Sequence, residues 1–304
     1  SARGRHESQP DSPPVPGLLP QRRDGWSGTP AVVLQRGGEQ LTTRFVVSDW
    51  SRIADYLSVE FKDPALDVTI RRFMAINDDG VLDSSTRIIN ASSEALLVER
   101  LPCLALPIPA RFAELTTYSG RWAGELRETR STIAPEGFVR SSAIGKPGFG
   151  GGNWLLLHDP TSKETLGAHL EWSGDYDSRI ECDNSGAGDG RAILQMGARW
   201  ELEEVLVEPG ATFETPGAIL ALGTDRSALA QRLHRHLRSF CTPISRENGP
   251  RKVHLNSWEA LGFDLSEYKL KALADDAAAL GVERFVLDDG WFGGRRNDQT
   301  SLGD

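Results

Sequence analysis

Two short runs near the C-terminal end bring aromatic rings and carboxylates together: Asn256-Ser257-Trp258-Glu259 and Asp288-Asp289-Gly290-Trp291. That mixture suits a sugar. An indole stacks on the apolar C–H face of a pyranose, and ionised carboxylates accept hydrogen bonds from its hydroxyls more strongly than neutral oxygens do. The spacing argues against Asp288 and Asp289 as a catalytic pair. The two carboxyls of a retaining glycosidase lie about 5–5.5 Å apart and flank the scissile bond. Neighbours on a strand project to opposite faces, and where a strand ends, adjacent carboxylates approach a ligand from one side. Nor do such neighbours readily divide into one raised and one ordinary pKa. Trp258, Asp288 and Asp289 are therefore read as sugar-binding residues. Glu259 is read as structural, and Trp291 with Phe292 as packing beneath the pocket.

The elements around these runs are those that would position them. Val253-His254-Leu255 is a short strand-like run. Ser266 is placed as a helix N-cap, between Leu265 and Leu270 in the arrangement of a hydrophobic staple. Leu270, Leu273, Ala274, Ala277 and Leu280 recur at helical spacing and predict one buried stripe. Gly281 stands where a left-handed C-terminal cap is wanted, and Val282 to Leu287 predicts a buried strand. The result is strand, helix, strand: a parallel unit with a right-handed crossover. Ligands bind beyond the carboxyl ends of such strands, and both polar runs fall there. The tripeptide also occurs earlier, as Asp78-Asp79-Gly80, between two strand-like runs where it predicts a hairpin turn. Asp-Asp-Gly alone therefore carries little weight. Its place at the end of a parallel strand gives the second copy its meaning.

These residues also carry a resemblance. NSWEALGFDL, then VLDDGWFGGRRND, then SLGD resembles the opening of the catalytic barrel of glycoside hydrolase family 36, the bacterial α-galactosidases or melibiases. The resemblance implies a mainly β N-terminal β-sandwich (supersandwich) domain followed by the first strands of an incomplete (β/α)8 TIM barrel. It implies retaining hydrolysis of terminal α-galactosyl residues, with α-galactoside sugars such as melibiose and raffinose as ligands. It gives Asp288 and Asp289 the role of binding sugar hydroxyls. The family nucleophile, an Asp in a K-W-D-x-N motif on a later strand, and the acid/base Asp beyond it have no counterpart here. Residues 251–304 provide two strands where a barrel of this kind needs roughly 250 residues, so a truncated barrel without turnover of its own is expected. The family often forms tetramers, which implies a homo-oligomer, and no metal or organic cofactor is implied. Other readings are a non-catalytic carbohydrate-binding sandwich, an α-N-acetylgalactosaminidase and a galactosyl transferase.

At 304 residues with 39% hydrophobic and 25% charged residues, the chain has room for two domains of ordinary globular composition. Its net charge of −9 argues against nucleic acid or an anionic membrane as partner. The apolar runs are too short to span a bilayer. Cys103, Cys182 and Cys241 are far apart and have neither metal nor disulfide spacing, which favours a reducing, cytoplasmic location.

Residues 1–24 are rich in Pro, Ser and Arg, with no apolar core of a signal peptide, and predict a flexible lead-in. Gly25-Trp26-Ser27-Gly28 begins ordered chain. In the family this neighbourhood can reach a neighbouring subunit's active site, and the resemblance carries that role onto Trp26. From 25 to 224 short strands and recurrent turn signals predict a large sandwich. Alternation is visible at Leu66 to Ile70, and apolar runs lie at Glu94 to Val98 and Leu202 to Val207. Turns are expected at Asn77 to Gly80, Asp189-Gly190 and Glu208 to Gly210. Thr117 to Trp122, Glu125 to Glu128 and Ser173 to Tyr176 also resemble the family's sandwich. Gly145 to Gly152 is rich in glycine, yet Lys146 precedes the glycines and the strand-like Trp154 to Leu157 follows, so it is not a phosphate loop. The family often has a Ser- and His-bearing loop at this point, from which this run departs. A linker helix is expected within 225–250, with Leu229, Leu233, Leu237 and Phe240 on one face. His234 and His236, two residues apart, cannot share a metal and are read as solvent-exposed. The barrel start follows at 251–304.

Overall fold

The computed structural model describes residues 17–182, 192–241 and 249–301. The chain forms two compact units, divided between Leu237 and Arg238. The predicted turn at Asp189-Gly190 lies outside the described residues.

The first unit is a sandwich built on one long antiparallel sheet. Its strands run in the order Arg127–Thr132, Glu114–Ser119, Trp154–His158, Thr165–Glu171, Gly217–Gly223, Val81–Asn90, Val68–Ile76, Tyr56–Asp63 and Val46–Ile53, and Thr212–Glu214 also pairs with Val81–Asn90. Two four-stranded sheets cover its inner face side by side. One comprises Leu206–Val207, Leu96–Arg100, Val33–Arg36 and Glu39–Gln40; the other comprises Phe138–Ser142, Tyr176–Cys182, Ala192–Ala198 and Leu104–Ile108. Alternation explains the inward residues, as in Val68–Ile76, where Val68, Ile70, Arg72 and Met74 are buried and the residues between them less so. Each small sheet encloses its own apolar core. Leu34, Val68, Ile70, Ile88 and Leu96 lie in one, and Leu104, Leu155, Leu157, Ile180 and Leu194 in the other. Every such residue is worth roughly 1.5–3 kcal/mol relative to leaving it in water.

Between the two cores the same inner face is polar. Leu101-Pro102-Cys103 leads from Leu96–Arg100 in one small sheet to Leu104–Ile108 in the other. Arg72, which is fully buried, donates to the carbonyls of Cys103 (3.1 Å) and Pro102 (3.2 Å). The hydroxyls of Ser84 and Thr86 donate to the same two oxygens. The seam satisfies carbonyls that the crossing strand cannot pair in either sheet. Desolvation lowers the Arg72 pKa to about 10, so the guanidinium stays charged at neutral pH.

Four expectations are corrected in this unit and just beyond its end. The lead-in ends before residue 24, because Leu19 and Gln21 are both 4% exposed. Leu19 joins a core cluster, and the Gln21 side chain exchanges two hydrogen bonds with the Phe45 backbone. The helix Arg226–His236 is part of the sandwich rather than a linker. Asp225 caps it by accepting from the Ala228 N–H (2.8 Å), and Leu229 is buried against Val81, Tyr118, Leu156, Ile219 and Ala221 on the outer face of the long sheet. Leu237 and Phe240 stay exposed, because the α-helix ends at His236 and residues Leu237–Cys241 form a π turn. That packing also buries His236, whose Nδ1 lies 2.8 Å from the Asn77 amide nitrogen; only His234 is exposed as expected.

In the second unit His254–Asn256 and Arg284–Val286 pair in parallel, with Leu255 opposite Phe285. The helix Glu267–Ala279 starts where predicted, with the Ser266 hydroxyl accepting from the Lys269 N–H (3.3 Å). It ends as predicted too. Gly281 has φ +83°, its N–H donates to the Ala278 carbonyl, and the Val282 N–H reaches back to Ala277, both at 3.0 Å. This is a complete Schellman motif. The stripe is only partly buried: Ala277 is inside, whereas Leu280 is 85% exposed. The strand Arg284–Val286 is likewise half-exposed rather than buried. Parallel strands are buried by covering on both faces, and the described residues of this unit hold two strands. No helix among the described residues is long and apolar enough to cross a membrane.

Candidate functional site

The parallel pair ends in a compact polar cluster. Ser257, fully buried, links the strand ends: its N–H donates to the Val286 carbonyl (2.9 Å), and its hydroxyl accepts from the Asp288 N–H (3.0 Å). Asn256 holds both runs at once. Its side-chain oxygen accepts from the Trp258 N–H (2.8 Å), and its amide nitrogen donates to Asp288 Oδ2. The other Asp288 oxygen accepts from the Asp289 N–H (2.7 Å). Both carboxylates are thus fixed relative to the strands.

Asp289 is held by a residue to which no role was given from the sequence. Arg295, 4% exposed, donates from Nε to Asp289 Oδ1 (2.9 Å) and from Nη2 to Oδ2 (2.8 Å). Its Nη1 donates to the Thr300 carbonyl (2.9 Å). The planar fork suits this two-bond grip on a carboxylate. Arg295 holds the Asp289 carboxyl below the usual carboxylate range. A general acid needs a raised pKa, so the direction here is wrong for one. It is right for an anion that accepts hydrogen bonds. Among the described residues Oδ2 takes only the Arg295 bond, which leaves it a lone pair for a ligand hydroxyl.

Phe263 packs this corner together. The Trp258 ring meets it edge-on, with centroids 4.8 Å apart and 88° between planes. The Arg295 guanidinium lies over it, 5.3 Å from the centroid. Gly290, at φ +92°, approaches so closely that a Cβ there would stand 3.1 Å from Phe263 Cδ1. The structure brings Trp258, Asp288 and Asp289 to one end of the strand pair. Trp291 departs from expectation: it is 65% exposed and meets Phe292 edge-on at 5.2 Å instead of packing beneath the cluster. Glu259 is exposed.

Trp26 lies in the sandwich unit with 6% of its surface exposed. Its indole donates to the Thr29 carbonyl (3.0 Å) and covers Gly28, where a Cβ would fall 2.6 Å from the ring. Thr29 is clamped in turn, its N–H and hydroxyl donating to Glu181 while the Gln195 amide donates to its carbonyl. The Trp26 ring faces inward, with no face to offer a ligand. No group of three or more His, Cys, Asp or Glu among the described residues is arranged to hold a metal.

The class is defined by a β-sandwich followed by a parallel strand pair that ends in this polar cluster, and both parts match profiles of one family. The profile of the Glycosyl hydrolase family 36 N-terminal domain matches residues 2–203, and that of Melibiase matches residues 212–304. The chain belongs to glycoside hydrolase family 36. It is similar to an alpha-galactosidase of Escherichia coli, 28% identical over 94% of this chain and 40% of the relative. The structure of the alpha-galactosidase from Lactobacillus brevis matches with a TM-score of 0.76 and 28% identity, over 91% of this chain and 40% of that one. The fold is shared with the GH36 alpha-galactosidase AgaA from Geobacillus stearothermophilus in complex with stachyose, at TM-score 0.79, 24% identity and coverage of 91% and 42%. The chain thus spans about 40% of the length of the E. coli relative it matches.

Proposed function

We propose that residues 253–301 form the galactose-binding corner of an α-galactosidase that hydrolyses terminal α-galactosides with retention. The observation that carries this reading is Asp289, ionised and immobilised by the two-bond grip of Arg295 at the carboxyl end of a parallel strand. Asp288, held by Asn256, and the ring of Trp258 stand beside it. Fixed acceptors of this kind bind sugar hydroxyls without a reorganisation cost at the moment of reaction. By the family resemblance, the nucleophile and the acid/base belong to later barrel strands, and the binding corner proposed here serves them. The complex of AgaA with stachyose supports galacto-oligosaccharides as the ligand class.

Self-association belongs to the same proposal. Val46–Ile53 is the outermost strand of the long sheet. It leaves Val47 58%, Trp50 65% and Ile53 73% exposed, an apolar edge that pairing with another copy would cover. A reducing, cytoplasmic location is proposed on the free thiols of Cys103 and Cys182.

The test is hydrolysis of p-nitrophenyl α-galactoside by the protein with its barrel complete, with and without Asp289→Asn, while NMR follows the product anomer. α-Galactose formed first, and lost in the variant, is the expected result. Hydrolysis untouched by the variant would place the sugar elsewhere.

A further inference from the structure

We propose that the sandwich unit carries a second sugar-binding site, one that takes a neutral saccharide unit and performs no chemistry. A groove of about 640 Å³ lies between the loop around Glu125 and the glycine-rich run around Phe149. That volume is in the range of small-molecule sites. Trp154, Tyr118 and His169 line it. Trp154 and His169 are register partners on neighbouring strands, so their side chains stand together on one face of the sheet. Tyr118 stacks on the Trp154 indole, with centroids 4.1 Å apart and 14° between planes, which fixes the orientation of the indole. The glycines let the run lie close: a Cβ at Gly152 would fall 2.8 Å from the Trp154 ring, and one at Gly148 would fall 2.6 Å from Ile144 Cδ1.

Three residues that line the groove each carry a polar group without a partner among the described residues. The Asn153 amide nitrogen donates to the Leu170 and Trp172 carbonyls, both at 2.7 Å, which leaves Oδ1 as its free end. The Trp154 indole N–H and the His169 imidazole likewise make no hydrogen bond among these residues. Burial holds His169 below its ordinary pKa, so the ring is neutral, with one donor and one acceptor nitrogen. A donor, an acceptor and a group that is both match vicinal hydroxyls, each of which donates and accepts. A purely apolar ligand would leave all three without partners, at a cost for each. The charges on the lining are balanced, Lys146 against Glu125. A phosphate-bearing ligand would call for a surplus of cations, and the chain carries a net charge of −9. A neutral saccharide meets every one of these conditions.

The experiment is a titration of raffinose into the Asp289→Asn protein, read by saturation-transfer NMR and calorimetry. The same background carries Phe149→Ala, at a residue 53% exposed, or His169→Ala. Saturable binding at about millimolar concentration is expected to survive Asp289→Asn. Each groove substitution is then expected to weaken it by about fivefold or more, with the thermal midpoint unchanged. Loss of all saturable binding in Asp289→Asn, or binding indifferent to both groove substitutions, would overturn the site. Groove binding in a protein that hydrolyses no α-galactoside would leave this site standing and remove the enzymatic reading instead.

Discussion

The chain uses one tripeptide twice, and the two copies show how little of a site resides in its letters. Asp78-Asp79-Gly80 closes the hairpin between Val68–Ile76 and Val81–Asn90. Its bonds are those of a turn: the Gly80 N–H donates to the Asn77 carbonyl (2.8 Å), and the Asn77 side chain accepts from the Val81 N–H (3.0 Å). Asp288-Asp289-Gly290 ends a parallel strand, and its bonds reach outward to Asn256, Ser257 and Arg295. In both copies the glycine is left-handed, and in both the second aspartate meets an arginine. The arginines separate them. Arg235 touches Asp79 with one nitrogen at 3.0 Å and its side chain is 51% exposed, whereas Arg295 grips Asp289 with two and its side chain is 5% exposed. An exposed single contact is worth little. A buried fork fixes a carboxylate where a ligand needs it.

The largest effect that would break this comparison falls on Asp289. Asp289→Asn is expected to lower kcat/KM on α-galactosides by on the order of a hundredfold or more, because the site loses an acceptor its ligand's hydroxyls require. Steady-state kinetics check it. Arg295→Met comes next, with a loss of roughly tenfold to a hundredfold as Asp289 drifts from position. This variant also has a pH signature. Arg295 depresses the Asp289 pKa in the folded protein, so the ionised form persists until pH falls past the ordinary carboxylate value of about 4. The matching stabilisation is present above that value and is lost as pH falls through the depressed pKa. Without Arg295 the acidic limb of the activity profile should move to higher pH. An unmoved limb would mean that Asp289 does not set it.

Backbone effects are smaller and common to both copies. Gly290→Ala at φ +92° and Gly80→Ala at φ +71° should each cost about 1–2 kcal/mol, measured by denaturant unfolding. Only the first should also reduce sugar affinity, through the 3.1 Å approach to Phe263. Asp79→Asn should change stability by no more than about 0.5 kcal/mol and leave turnover as it was.

Local chemistry was the legible part of the sequence. Ser266 and Gly281 announced both ends of their helix because capping is decided within a few residues, and the strand-end position of Asp288 and Asp289 followed from that helix. The sandwich was legible from alternation at Val68, Ile70 and their neighbours. Arg295 was not, because its partner lies across an irregular loop with no periodicity to align them. Arg72 was hidden by its neighbour Arg71. Two adjacent arginines on a strand point to opposite faces, and nothing local says which one turns inward to meet Pro102 and Cys103. His236 was misjudged for a related reason: the helix was expected to join units, and only the tertiary fold reveals the sheet face it covers. Trp26 had a role by resemblance, but its burial over Gly28 depends on Thr29 and Glu181, which are 152 residues apart.

The most direct test of the central claim compares the inhibition constant of free galactose for the active protein, Asp79→Asn and Asp289→Asn. If a fixed strand-end carboxylate makes the site, galactose should inhibit the first two alike and bind the third at least tenfold more weakly. Equal inhibition of all three would mean that both Asp-Asp-Gly copies are turns and that the sugar is held elsewhere.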